Sequence, residues 1–282
     1  MNSTVSLVDK LWRYCNVLRD DGMSYGDYVE QLTYLLFLKM AEEHSKPPFL
    51  YLDELDAEFR WSAITREADE EQHERYEKIL WELSQRKDLF GAIYKGAISK
   101  FRDPKKFHRL ISEISSVSWS EYESDVKGDA YEGLLERTAA EGKAGAGQYF
   151  TARPLVDAIV QVMDIRPGMS ICDPACGTGG FLLETYKHVL PLCQGKEQEK
   201  RLKEYSIYGV ELVESVARLC LMNLVLHGIG GKDTPVSIQD SLATMPVRQF
   251  DIVLANPPFG RQSSSGTGRD SESSGSSDLY QR

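Results

Sequence analysis

The run Asp173-Pro174-Ala175-Cys176-Gly177-Thr178-Gly179-Gly180-Phe181 leaves this chain few folds to choose from. It follows a short apolar stretch, Met169-Ser170-Ile171-Cys172, and precedes a helical pattern over residues 182–189. A glycine-rich turn between a strand and a helix belongs to α/β architecture. It lets a ligand approach the backbone closely and sets the open N–H groups of the helix against the ligand's polar parts. The spacing is GxGG rather than the GxGxxG of dinucleotide sites, and Asp173 puts a carboxylate at the strand tip, where a pyrophosphate would be repelled. A carboxylate there suits a cation. S-adenosylmethionine carries an ammonium and a sulfonium, and so fits better than a nicotinamide dinucleotide.

Three later strands repeat the pattern of an apolar run ending in a polar tip. Residues 206–210 end in Glu211, and an acidic residue at the tip of the second strand is the usual partner of ribose hydroxyls. A polar, charged stretch, 194–204, fills the connection before it. Residues 213–227 read as a helix with Ala217, Leu221, Leu224 and Val225 inward. Residues 235–239 form a third strand, followed by Asp240, whose carboxylate can accept from an adenine amino group. The run Phe250-Asp251-Ile252-Val253-Leu254-Ala255 reads as a buried parallel strand that delivers Asn256-Pro257-Pro258-Phe259 into a cleft. Two prolines hold that backbone stiff. An isolated Asn-Pro is also a common turn opener. As a grip, the amide oxygen of Asn256 and the carbonyl of Pro257 can accept both hydrogens of an NH2 group, and Phe259 can stack on the ring that bears it. Such acceptors make an aromatic amine more nucleophilic in the transition state, with no deprotonating base required.

The amino-terminal half has a different period. Residues 5–19 place Val5, Leu7, Val8, Leu11, Trp12, Cys15 and Leu18 at helical spacing, and Gly22 with Ser24 marks a break. Residues 25–43 carry Tyr28, Val29, Leu32, Leu35, Leu36 and Met40 on one face and predict a long, half-buried helix. Pro47-Pro48 stops it, and 49–64 reads as irregular. Helices are expected over 72–87, 89–98, 106–117 and 129–141, an all-helical domain. Three glycines in the run Glu141–Gly147 mark the boundary. Gln148-Tyr149-Phe150-Thr151-Ala152-Arg153-Pro154 then leads into an amphipathic helix, with Pro154 suited to its first turn and Thr151 to its cap.

Composition narrows the partners. The formal net charge of −10 is the wrong sign for a chain that holds nucleic acid by itself, because Lys and Arg supply most non-specific affinity for phosphate. The five cysteines form no CxxC pair, so neither a zinc site nor a disulfide framework is supported, and no metal is expected. No apolar run approaches a membrane span, and residues 1–19 are charged and helical rather than a signal peptide, which predicts a cytoplasmic protein.

In order along the chain, Gln148-Tyr149-Phe150-Thr151-x-Arg153, Asp173-Pro174-x-x-Gly177-Thr178-x-Gly180-Phe181, Glu211, Asp240 and Asn256-Pro257-Pro258-Phe259 resemble the amino-methylating DNA methyltransferases. The helical amino-terminal half and Tyr131-Glu132-Gly133-Leu134-Leu135 resemble specifically the modification subunit of type I restriction–modification systems. The resemblance covers residues 5–260. Ala152 departs from it, standing where the family usually has proline. The resemblance implies an α/β fold: an all-helical domain over 1–141, then a Rossmann-like class I S-adenosylmethionine-dependent methyltransferase core over 142–262 and a mobile serine- and glycine-rich tail over 263–282. It implies that Gln148, Tyr149, Phe150, Thr151, Ala152 and Arg153, with Thr178, Gly179 and Gly180, line the cofactor pocket. Glu211 would bind the ribose, Asp173 would lie near the methionine moiety and Asp240 near the cofactor's adenine. Asn256, Pro257 and Phe259 would hold a target adenine flipped from double-stranded DNA, to be methylated at its 6-amino group.

No DNA-recognition domain fits between Gly180 and Asn256. The resemblance therefore implies a separate specificity subunit, a second modification subunit and, in the full complex, a restriction subunit. The core lacks the further strands such a sheet needs, which predicts an amino-terminal piece whose fourth strand is an exposed hydrophobic edge. Three other functions are distinguishable: a non-catalytic piece that docks on a specificity subunit, a protein glutamine methyltransferase, and, least favoured, a dehydrogenase.

Overall fold

A computed structural model describes residues 2–23, 25–43, 55–119, 122, 124–141, 151–230, 234–243 and 248–257. Its first half is helical: α1 (Asn2–Asp20), α2 (Tyr25–Glu43), a 3-10 turn (Ala57–Phe59), α3 (Trp61–Thr65), α4 (Gln72–Ser84), α5 (Leu89–Tyr94), α6 (Pro104–Ser115) and α7 (Ser124–Glu141). Local chemistry sets the ends. Gly22 adopts φ of 78°, turning the chain out of α1 where a side chain would be strained. Asp88 caps α5 by accepting from the Gly91 amide at 3.1 Å, and Asp103 caps α6 by accepting from Lys105 at 2.9 Å, with Pro104 in the first turn.

The expectation of a half-buried α2 is corrected. From Gln31 to Leu38 every side chain is buried, because α1, α3, α6 and α7 pack around it and a helix of the second half closes the remaining side. Its polar residues are matched to partners accordingly. Gln31 donates to the Ile98 carbonyl at 3.0 Å and accepts from the Lys100 amide at 3.1 Å, and the Thr33 hydroxyl lies 2.8 Å from that of Tyr131. An aromatic cluster fills the space beside it: Tyr34 stacks on Tyr94, Phe37 meets Phe90 edge-on, and Phe107 packs against Phe101 and Tyr76. Residues 49–64, read as irregular, contain the 3-10 turn and α3 where they are described.

The second half alternates helices and strands: α8 (Arg153–Val162), β1 (Ile171–Asp173), α9 (Gly180–Val189), a 3-10 turn (Leu190–Leu192), α10 (Lys196–Arg201) running into a π turn (Leu202–Ser206), β2 (Ile207–Glu211), α11 (Glu214–Leu226), β3 (Val236–Ile238) and β4 (Ile252–Val253). The sheet is all parallel in the order β3-β2-β1-β4, with Ile171 opposite both Ile207 and Ile252, and Glu211 opposite Ile238. Parallel pairing brings every strand's carboxyl end to one edge, and helices carry the crossovers from β1 to β2 and from β2 to β3. The polar stretch 194–204 supplies α10 and part of the π turn.

Helix α11 lies between the sheet and the helical half, touching β2 and β3 on one side and α2, α5 and α7 on the other. It is therefore buried all round from Val216 to Leu226 apart from Leu219. The reading of 250–255 as a buried strand is corrected in part. The strand is parallel, but its ladder is Ile252–Val253, it pairs only with β1 among the described residues, and Val253 is 59% exposed. β4 is thus an edge. Among the described residues no helix is long and apolar enough to cross a membrane. The glycine run 142–147 and the tail 263–282 lie outside the described residues.

Candidate active site

The carboxyl ends of β1, β2, β3 and β4 gather most of the described candidate residues. Asp173 ends β1 and is 2% exposed; its carboxylate accepts from the Ala175 amide at 3.0 Å, turning the chain back at Pro174. Burial pushes its carboxyl up to about 7, opposed by the Ala175 N–H and reinforced by the Glu211 carboxylate nearby. The strand tip is thus a buried negative centre short of a compensating cation.

The glycine turn is pinned on three sides. The Cys176 amide donates to the Val210 carbonyl of β2 at 2.9 Å, the Gly177 amide donates to Glu211 Oε2 at 3.0 Å, and Asn223 Nδ2 of α11 donates to the Thr178 carbonyl at 3.0 Å. Gly179 caps α9 with φ of 90°, and a Cβ there would sit 2.9 Å from Cys220 Sγ, so both conformation and space require glycine. Glu211 is buried at the end of β2, and its Oε1 accepts from the Val213 amide at 2.9 Å. Each of its oxygens keeps a further lone pair for a ligand hydroxyl. Asp240 is exposed and accepts from the Leu242 amide at 2.9 Å, while Ser241 beside it donates to the Pro174 carbonyl, closing the β3 loop onto the β1 turn.

Asn256, exposed two residues beyond the buried Leu254, donates through Nδ2 to the Thr151 hydroxyl at 3.1 Å. Ala152, rather than Thr151, occupies the cap position of α8, so the expected Thr151 cap is corrected: its hydroxyl faces the fourth strand tip instead of the helix end. Pro257 follows, also exposed. Arg153 is turned toward the helical half, with Nε 3.2 Å from Glu136 Oε1, an ion pair to Glu132, and Nη1 3.4 Å from the Gly180 carbonyl. Gln148, Tyr149, Phe150, Pro258 and Phe259 lie outside the described residues.

The structure therefore joins Thr151 to Asn256, Gly177 to Glu211, Asp173 to the field of Glu211, and Arg153 to Gly180. Sequence reasoning missed Asn223, Ser241, Glu136 and Glu132 as supports. Asn223 had a signal, being a lone amide among apolar residues on α11. Glu132 was read only as part of a shared motif, because its partner Arg153 is remote in sequence.

A family model described as N-6 DNA Methylase matches residues 122–276, and one described as HsdM N-terminal domain matches residues 7–114. The type I restriction enzyme StySPI methylase subunit of Salmonella potsdam is 37% identical over 270 residues, covering 90% of this chain and 50% of that protein. The EcoKI methylase subunit of Escherichia coli (strain K12) is 36% identical over 270 residues, with the same two coverages. The chain thus spans about half the length of these curated relatives. Among solved structures, a modification subunit of a putative type I restriction enzyme from Vibrio vulnificus YJ016 superposes with a TM-score of 0.71 at 25% identity, over 92% of this chain and 61% of that one. A putative class I S-adenosylmethionine-dependent methyltransferase from Listeria monocytogenes, at 15% identity and a TM-score of 0.51 over 92% of this chain and 60% of that one, shares the fold.

Proposed function

The chain belongs to the N-6 DNA methylase family, and from that premise we propose that it carries the cofactor site and the adenine grip of a type I modification subunit, an adenine-N6 DNA methyltransferase. The observation that carries this reading is the hydrogen bond from Asn256 to Thr151. It commits the NH2 end of the carboxamide and leaves Oδ1 as the acceptor end. Oδ1 and the Pro257 carbonyl are then the two acceptors for the hydrogens of an adenine 6-amino group, and Phe259 is the stacking face for its ring. Because Thr151 directly follows the segment 148–150 assigned to the cofactor pocket, the same bond ties the grip on the base to the cofactor side.

S-adenosylmethionine fits the donor set, since the buried Asp173 carboxylate lacks a cation and Glu211 beside it keeps lone pairs for hydroxyls. When bound, that cofactor supplies an electrophilic methyl group. The chain's own residues bind and position. Asp173 compensates the positive charge, Glu211 takes the ribose hydroxyls, Asp240 takes the cofactor's adenine amino group, and Thr178, Gly179 and Gly180 hold the backbone close. Asn256 and Pro257 polarise the target amine, so no side chain is asked to remove its proton before transfer. The functional division proposed is a helical unit over 1–141, a methyltransferase unit over 142–262 and a tail over 263–282.

A chain of net charge −10 gains DNA only with basic partners, so the working unit proposed includes a specificity subunit, a second modification subunit and, for cleavage, a restriction subunit, in the cytoplasm. The test is transfer of labelled methyl groups to unmethylated duplex DNA by the chain with and without a specificity subunit. Transfer to adenine is expected only in the complex, and Asn256→Ala should lower it about a hundredfold while cofactor affinity stays within a few-fold. Transfer to a protein glutamine instead of DNA, or no S-adenosylmethionine binding by the intact chain, would overturn the reading.

A further inference from the structure

Away from the strand tips, the seam between α7 and the second half holds a cluster that the methyl-transfer reading does not use. Asp129 and Glu132, one helical turn apart on α7, face His227 at the carboxyl end of α11, and one ligand atom from each lies within 4.8 Å of the others. His227 is 3% exposed. Its Nδ1 lies 2.8 Å from the Asn223 carbonyl, which can only accept, so Nδ1 carries a proton and the neutral ring presents its lone pair at Nε2. Nε2 has no hydrogen-bond partner and stands 3.6 Å from Asp129 Oδ1, beyond hydrogen-bonding reach. A buried ring nitrogen aimed at a carboxylate calls for positive charge between them, either a proton on Nε2 or a cation.

The surrounding charge points the same way. Four carboxylates, Asp129, Glu132, Glu136 and Glu184, share two cations, Arg153 and Lys187, among the described residues. The excess negative charge matches one divalent ion. The backbone is shaped for the ring: a Cβ at Gly128 would come 2.4 Å from His227 Nε2, so glycine in mid-helix is what lets the imidazole lie against α7. The Asp129 side chain is 42% exposed, which leaves water access to an open coordination position.

We propose that Asp129, Glu132 and His227 form a divalent-cation site that clamps the helical half to the methyltransferase half. One imidazole and two carboxylates suit manganese or zinc, with the His227–Asn223 hydrogen bond orienting the ring as such bonds do for metal-ligating histidines. Lys187, 2.7 Å from Asp129 Oδ1 and 3.3 Å from Glu132 Oε2, occupies part of the same space and competes with the ion. Its half-exposed stem lets it swing out.

The test is titration of the intact chain with Mn2+ alone, following the free ion by electron paramagnetic resonance; manganese favours oxygen and nitrogen ligands, which keeps the five thiols out of the measurement. One ion per chain is expected. Affinity should fall at least tenfold in Asp129→Asn and in His227→Gln, and rise several-fold in Lys187→Met, where the competing ammonium is gone. Should His227→Gln not fold by circular dichroism, the two half-exposed positions still decide. Absence of stoichiometric binding, or equal affinity in wild type and Asp129→Asn, overturns the site and leaves a salt-bridge network. Ion binding is measured without methyl transfer, so this result stands apart from the fate of the methyltransferase reading.

Discussion

At the scale of single residues, the strand tip of β1 carries a pH dependence whose sign is fixed. Asp173 has its carboxyl raised to about 7 in the folded chain, from an ordinary 3.8, chiefly by burial. A raised value means the folded state holds a proton the unfolded state has released. The contribution of this group to stability is therefore fully present below about pH 4 and lost as pH rises through 7, up to roughly 4 kcal/mol. Chemical denaturation at pH 5 and pH 8 should show the loss in wild type and flatten it in Asp173→Asn. A cationic ligand reverses the trend, because it needs the ionised form: S-adenosylmethionine affinity should increase from pH 6 to pH 8, with proton release on binding at the lower pH, measured by calorimetry in buffers of different ionisation enthalpy. Gly179 is the other sensitive residue. Gly179→Ala meets both a left-handed backbone and Cys220 Sγ at 2.9 Å, and should cost about 1–3 kcal/mol in urea unfolding, with cofactor affinity falling as the turn shifts.

At the scale of elements, packing overrides propensity in α7. An alanine in place of Gly128 would normally favour a helix by about 1 kcal/mol. Here its Cβ would meet the His227 ring at 2.4 Å, with the ring fixed by Asn223 and unable to retreat. Gly128→Ala should therefore destabilise the fold by about 1–3 kcal/mol, read as a lower urea midpoint at unchanged slope. The same conflict explains what the sequence could and could not convey. Helix and strand identities were legible wherever one period dominates, as in α2, whose bounds match the 25–43 expectation, and in the strands ending at Asp173 and Glu211, whereas β3 stops at Ile238, two residues short of Asp240. Burial on every side of α2 was not legible. Gln31 and Thr33 look like a polar face until distant partners at Ile98, Lys100 and Tyr131 satisfy them. In the site, the glycine turn and strand-tip acids were readable because their chemistry is local. The Asn256–Thr151 bond and the Glu132–Arg153 pair join residues from different elements, and nothing in either local pattern announces them.

For the whole molecule, the question is whether the two halves are separate modules or one cooperative unit, and Arg218 is the residue that decides it. It lies on α11, is 6% exposed, and reaches out of the α/β half to pair with Glu30 of α2, donate to the Lys95 carbonyl and stack over the Tyr34 ring at 5.3 Å. α11 is already shared core, buried by the sheet on one side and by the helices on the other, so apolar packing alone would hold the halves together. What Arg218 adds is compensation for a carboxylate that packing has desolvated. Once the guanidinium is removed, Glu30 keeps the Lys100 ammonium at 3.5 Å and the neutral Tyr34 hydroxyl at 3.1 Å among the described residues. Truncation of one partner of a buried pair costs more than the pair is worth, because the other charge stays behind. Arg218→Ala should lose about 2–4 kcal/mol, and Arg218→Ala with Glu30→Gln should recover part of it, since no unpaired charge then remains. If the halves are one unit, both variants unfold in a single transition by near- and far-ultraviolet circular dichroism. A resolved second transition in the single variant would show instead that the seam, with its ion pairs and the cluster at His227, is the boundary along which the chain comes apart.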